Sequence, residues 1–185
     1  MSRTESAVLA LDTVAPGFEL PDVVSGKTIG LDNFAGKKAL LVMFICRHCP
    51  YVKHVQAELA KLGADYSRAS AGIIAISSND AVAYPEDAPG SLREMALELN
   101  FNFPFCYDES QEVARAYGAA CTPDFFLFDE NRRLAYHGRL DNSRPRSTDP
   151  VTGNELRAAI DAILSGKPVS RDQKPSMGCS IKWRS

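Results

Sequence analysis

The sequence has no long hydrophobic run. Its longest apolar stretch, Ala39 to Ile45, has the length of one buried strand and is far too short to cross a bilayer. The N-terminal MSRTESAVLALDTVAP carries Arg3 but no apolar core of the kind a secretory signal requires. Lys and Arg are scattered and the net charge is −2, so there is no electrostatic footprint for nucleic acid or for an anionic membrane surface. Repeats, low-complexity tracts and a dividing linker are also missing. These absences lead us to expect a cytoplasmic protein with neither a nucleic-acid nor a membrane partner. Its 185 residues suffice for one domain with extensions and are short for two.

What is present alternates between strand and helix signals. Residues 17–37 mix short β-type pieces with Gly, Pro and Asp-Asn turns, predicting a hairpin followed by a short helical turn. ALLVMFI (39–45) predicts a central strand buried on both faces. Pro50 suits a helical first turn, and Val52, Val55, Leu59, Leu62 and Tyr66 carry a helix to about residue 68. GIIAISS (72–78) and FPFCYD (103–108) are further strands. Between them lies a two-proline loop (79–90), then a helix to Leu99 that Ser91 and Glu94 would cap. A short helix ends at Gly118, a hairpin turns at Glu130-Asn131, and a last helix spans about 154–164. This order predicts an α/β fold with a mixed sheet. We expect residues 1–166 to form the domain and 167–185, which show no strand or helix period, to pack on it as a tail.

The chemistry concentrates in FICRHCPY (44–51), where a buried strand hands over to a helix. Five cysteines is an odd number without the regular spacing of a secreted disulfide framework. In a reducing compartment a CxxC is more often catalytic or metal-binding than a staple. A helix N-terminus favours a thiolate, so Cys46 is expected to be the exposed, low-pKa attacker and Cys49 the more buried resolving thiol. Arg47 and His48 lie between them, and cationic neighbours should strengthen the preference and make the couple less reducing. Two other readings stand beside this one: a pair of small buried residues, and a metal site in which Cys46 and Cys49 are joined by His48 or Cys121. No second CxxC and no HxxxH supports the metal reading.

With FICRHCPY at a strand end and CTPDFFLF at 121–128, the chain resembles the thioredoxin-fold redoxins over nearly its whole length. VAPGFELPDVVSGKTIGLDNFAGKKALLVMF resembles the peroxiredoxin branch, the alkyl hydroperoxide reductase and thiol-specific antioxidant group. FICRHCPYVKHV and PSMGCSIKW are similar to a peroxiredoxin-like family that carries a thioredoxin-type CxxC. The resemblance implies a thioredoxin-like fold: a central mixed β-sheet flanked by helices, an N-terminal β-hairpin extension and a docked C-terminal tail. It implies a thiol–disulfide oxidoreductase that needs no organic cofactor and works on a disulfide-containing protein or small molecule with an unidentified electron donor. It also implies a cis peptide at Thr122-Pro123 facing the thiols, where the Thr122 backbone can pair with a substrate chain.

The departures matter as much. In the peroxiredoxin pattern PxxxTxxC, with Cys49 in the peroxidatic place, Cys46 replaces the Thr and Val42 the Pro, so peroxide reduction ranks second. Thioredoxin's tryptophan is Ile45 here, and its buried acid has no counterpart in 39–45, which leaves proton handling to His48 or Glu19. Cys121 and Cys179 are possible additional thiols, Cys106 reads as inert core, and His54 and His137 as surface or satisfied residues. The polar loop 137–153, with its arginines, is either solvated or a site for an acidic partner. In the tail, Cys179, Ile181 and Trp183, the only tryptophan, predict docking, with Trp183 substantially buried and Cys179 held in place.

Overall fold

The computed structural model describes residues 3–184. Residues 1, 2 and 185, at the ends of the expected body and tail, lie outside the described residues. The elements in chain order are β1 (Arg3–Glu5), β2 (Glu19–Pro21), β3 (Thr28–Gly30), β4 (Ala39–Phe44), α1 (Pro50–Tyr66) and β5 (Ala71–Ser77). There follow α2 (Pro89–Glu98), β6 (Phe105–Tyr107), α3 (Glu112–Tyr117), β7 (Cys121–Thr122), β8 (Asp124–Phe128), β9 (Leu134–Gly138), α4 (Asn154–Leu164) and β10 (Met177–Ser180).

The main sheet has the order β6-β5-β4-β8-β9. β4, β5 and β6 run parallel, while β8 and β9 are antiparallel additions. β4 is apolar at every position because both of its faces are covered. Leu41 and Met43 join Leu59 and Leu62 of α1, Leu92 of α2 and Ile160 of α4 on one face. Leu40, Val42 and Phe44 meet Phe18, Ile29, Phe34 and Tyr117 on the other. The result is a mixed sheet between helical layers, with the β2–β3 hairpin packed on one side.

Two local expectations need correction. α2 begins at Pro89 with Ala88 before it, so Ser91 lies inside the helix and caps nothing. Proline at the first helical position sets the start two residues early. The tail contains a strand, β10, although its Met-Gly-Cys-Ser sequence has no β signature. Its partners make it one: β10 lies between β1 and β7, antiparallel to both, in a separate three-stranded sheet.

Candidate active site

Cys46 follows the end of β4, and Cys49 is the N-cap residue of α1, with Pro50 as the first helical residue. Both are 0% exposed. Their sulfurs gather at the short strand β7: Cys46 Sγ is 3.2 Å from Thr122 Oγ1, and Cys49 Sγ is 3.2 Å from the Thr122 carbonyl oxygen. The Thr122–Pro123 peptide is cis. A third sulfur completes the group, because Cys179 of β10 is 2% exposed and its Sγ stands 2.9 Å from Cys49 Sγ.

The pKa order expected of the first two thiols is reversed. Cys49 is held as the thiolate, its pKa lowered to about 5, chiefly by the hydrogen bond from Cys46. Burial opposes this, but the Cys179 thiol and the backbone N–H groups of Val52 and Cys179 add to the stabilisation. Cys46 is pushed well above its ordinary value by donating to Cys49, by burial and by the Asp87 carboxylate. Cys179 is pushed up to about 12, first by burial and then by its hydrogen bond to Cys49. One thiolate therefore sits between two thiols. The helix start adds to this: α1 begins after Cys49, so the N–H group of Val52 is free to point at the Cys49 sulfur.

The cations placed between the cysteines do not act as expected. The Arg47 guanidinium bonds to Glu94 at 2.7 Å and to the Ser91 carbonyl at 2.8 Å, away from the sulfurs. His48 faces Asp87, with Nδ1 2.5 Å from Oδ2, and its ring stacks on Tyr84. Asp87 is the residue that sequence reasoning missed. Fully buried in the 79–90 loop, it accepts the backbone N–H groups of Arg47 at 2.8 Å and His48 at 3.1 Å, and the Asn79 amide at 2.8 Å. Burial works against its charge, but the bonds from His48 and Asn79 prevail and hold the carboxyl below the usual range. An acid between two prolines, Pro85 and Pro89, was the only signal available. The other suggested proton carrier, Glu19, is exposed on β2.

Other residues sort themselves by contact. Cys121 is buried and turns to the Pro123 carbonyl, 3.7 Å away, rather than to another sulfur; burial raises its pKa well above the ordinary value. The metal grouping is also different from the expected set. Among the described residues Cys46, His48 and Asp87 bring ligand atoms within 4.8 Å of one another, and neither Cys49 nor Cys121 is among them. Cys106 is core, pushed up to about 12 by burial. His54 bonds to Ser143, and His137 is buried against Asp124 at 3.0 Å. In the 137–153 loop Arg139 is bound to Glu155 and Arg144 to backbone carbonyls. The tail docks through Cys179 and Ile181, but Trp183 remains 38% exposed, covered on one side by the Arg115 guanidinium 4.3 Å from its ring. No described helix is long and apolar enough to cross a membrane.

Comparisons with known proteins bear on the fold and the family. The crystal structure of an uncharacterized conserved protein from Geobacillus kaustophilus matches with a TM-score of 0.97 at 50% identity, over 100% of this chain and 97% of that one. A hypothetical protein from Sinorhizobium meliloti 1021 matches with a TM-score of 0.97 at 47% identity, over 98% and 99% of the two chains. The thioredoxin domain of a thiol-disulfide oxidoreductase from Bacteroides vulgatus shares the fold at a TM-score of 0.59 and 20% identity, over 70% and 89%. No curated protein matches the sequence. The fold is thioredoxin-like, residues 11–137 match the AhpC/TSA family, and the chain belongs to that family.

Proposed function

We propose that the protein is a thiol–disulfide oxidoreductase that exchanges two electrons with disulfide-containing substrates through Cys46 and Cys49. The observation that carries this reading is the placing of Cys46 and Cys49 together at the start of α1, each sulfur 3.2 Å from Thr122, with the Cys49 pKa lowered to about 5. Cys49 attacks a substrate disulfide, forming a mixed disulfide and releasing one substrate thiolate. Cys46 then attacks Cys49 Sγ, closing the Cys46–Cys49 disulfide and releasing the second thiolate. The proton lost by Cys46 goes toward the adjoining Asp87–His48 pair; His48 Nε2 has no hydrogen-bond partner among the described residues. A donor dithiol restores both thiols, so the electrons need no organic cofactor. Three buried thiols within one cluster suit a reducing compartment, and we place the activity in the cytoplasm.

A second reading, peroxide reduction at Cys49, is favoured by one observation. Cys46 donates to the Cys49 sulfur from the position at which the peroxiredoxin pattern has a threonine hydroxyl. Both readings are tested by titrating the protein against glutathione redox buffers, with thiols counted by mass after alkylation, and by following hydrogen peroxide consumption in parallel. A two-electron transition that disappears in Cys49→Ser, with slow peroxide turnover, is the expected result. Peroxide turnover that outpaces disulfide exchange reverses the order of the two readings. Absence of a Cys46–Cys49 disulfide at any poise overturns the first.

A further inference from the structure

β7 is only two residues long, and its Thr122 touches both Cys46 and Cys49. A strand edge with unpaired N–H and C=O groups beside reactive sulfurs is a template for an extended chain. Here the protein's own β10 holds that edge. The register sets Cys179 opposite Thr122 and Ser180 opposite Cys121, and Ile181 N–H continues the contact to the Ala120 carbonyl at 3.1 Å. Any chain paired with Thr122 in this way puts the residue opposite Thr122 against Cys49, and that residue is a cysteine.

The fit of β10 is specific at its neighbouring position. A β-carbon on Gly178 would lie 2.6 Å from the Thr122 carbonyl carbon and closer still to its oxygen, so only glycine permits this approach. The strand is fixed at both ends. Ser176 Oγ donates to the Gly138 carbonyl at 2.7 Å, and Lys182 N–H donates to Asn79 Oδ1 at 2.8 Å. With Cys46 and Cys49 at 0% exposure and Cys179 at 2%, the strand also covers the sulfurs.

We propose that β10 is a resident substrate strand, in which Cys179 is the built-in exchange partner of Cys49 and the strand itself shuts other chains out of the Thr122 edge. This rests on the oxidoreductase reading above. Once a substrate has left the Cys46–Cys49 disulfide, Cys179 as thiolate attacks Cys49 Sγ. The Cys49–Cys179 bond forms and the Cys46–Cys49 bond breaks. The electron pair leaves on Cys46, which takes up the proton that Cys179 lost. The step is an exchange with no net oxidation, so it needs no further oxidant. It ties β10 covalently over the edge, whereas the Cys46–Cys49 isomer leaves β10 held only by hydrogen bonds and packing.

The test oxidises full-length protein with glutathione disulfide, quenches in acid, blocks remaining thiols with N-ethylmaleimide and maps disulfides by peptide mass. Wild type is expected to give both Cys46–Cys49 and Cys49–Cys179, and Cys46→Ala to give Cys49–Cys179 as its main product. If Cys46→Ala yields only Cys49 joined to glutathione, with Cys179 still alkylatable, the proposal is overturned while the oxidoreductase reading stands. If wild type forms no Cys46–Cys49 disulfide, the reading itself falls and the proposal with it. The blocking role is measured with a disulfide-bearing peptide on reduced protein. Gly178→Val should speed mixed-disulfide formation at Cys49 about tenfold for each ~1.4 kcal/mol by which docking weakens. Ser176→Ala, which removes one anchor and leaves the packing, should give a smaller increase and serves should Gly178→Val fail to fold. Unchanged peptide rates in a folded variant of either kind refute the blocking role.

Discussion

Asp87 and His48 meet at 2.5 Å, Oδ2 to Nδ1, with the Tyr84 ring stacked on the imidazole. The other carboxylate oxygen of Asp87 holds the backbone between the two cysteines through the N–H groups of Arg47 and His48. One buried acid thus shapes the loop and sets its charge.

Replacing that acid separates the two effects. Asp87→Asn keeps the shape but loses the charge and turns one accepting oxygen into a donor. We expect a loss of about 2–4 kcal/mol in stability by denaturant unfolding. The Cys46 thiol, relieved of an opposing carboxylate, should titrate lower than in wild type. A Cys46 titration that does not move would remove Asp87 from the proton path.

The thiolate assignment is open to direct titration. Thiolate ultraviolet absorbance of the reduced protein should rise near pH 5, and the rise should vanish in Cys49→Ser. Cys46→Ala removes the main hydrogen bond to Cys49 and should return its titration toward the ordinary thiol range. A rise that survives Cys49→Ser and disappears in Cys46→Ala would give the thiolate to the other residue.

Stability of the reduced protein should follow the same group. The Cys49 pKa is lowered on folding, so its contribution is full above the unfolded thiol value and is lost as pH falls toward about 5. Between those limits the unfolded chain binds one more proton, and stability should rise with pH by at most about 1.4 kcal/mol per unit. Cys46 and Cys179 remain protonated in both states there and add no slope, since their pKa values are raised. The difference between wild type and Cys49→Ser, measured in a non-thiol reductant, isolates the effect. Parallel pH profiles would contradict it.

In the tail, Ile181 and Trp183 should contribute unequally. Ile181 is buried in the same core cluster as Phe44 and Ala119, and Ile181→Ala should cost about 2–4 kcal/mol. Trp183 is partly exposed and held by Arg115, so Trp183→Ala should cost about 1 kcal/mol or less. Thermal unfolding of the two variants decides; equal losses would mean that the tryptophan anchors the tail.

Most of the fold was legible from residues 17 to 164, because each element there carries its own signal: the all-apolar β4, the three-and-four spacing of α1, Gly118 after α3 with its φ of 65°. β10 was not legible. A strand of Met, Gly, Cys and Ser is specified by its partners β1 and β7, and no local period announces them. At the site, the residue types at 46, 49, 122 and 123 could be read, but the direction of polarisation could not. Pro50 marked the start of α1, but which sulfur receives the hydrogen bonds is decided by the tertiary placing of Cys46 and Cys179 around Cys49. Arg47 was misjudged for a related reason: its charge is set by sequence, but its reach to Glu94 is set by the docking of α2.

The contact between Cys49 and Cys179 joins residues separated by 130 positions. Synthesis delivers the chain from its N-terminus, so Cys46 and Cys49 leave the ribosome long before the strand that covers them exists. During that interval the pair has no lid and meets whatever thiols and disulfides surround the nascent chain. Its first redox state is therefore chosen by the cell, before the protein has any means of guarding it.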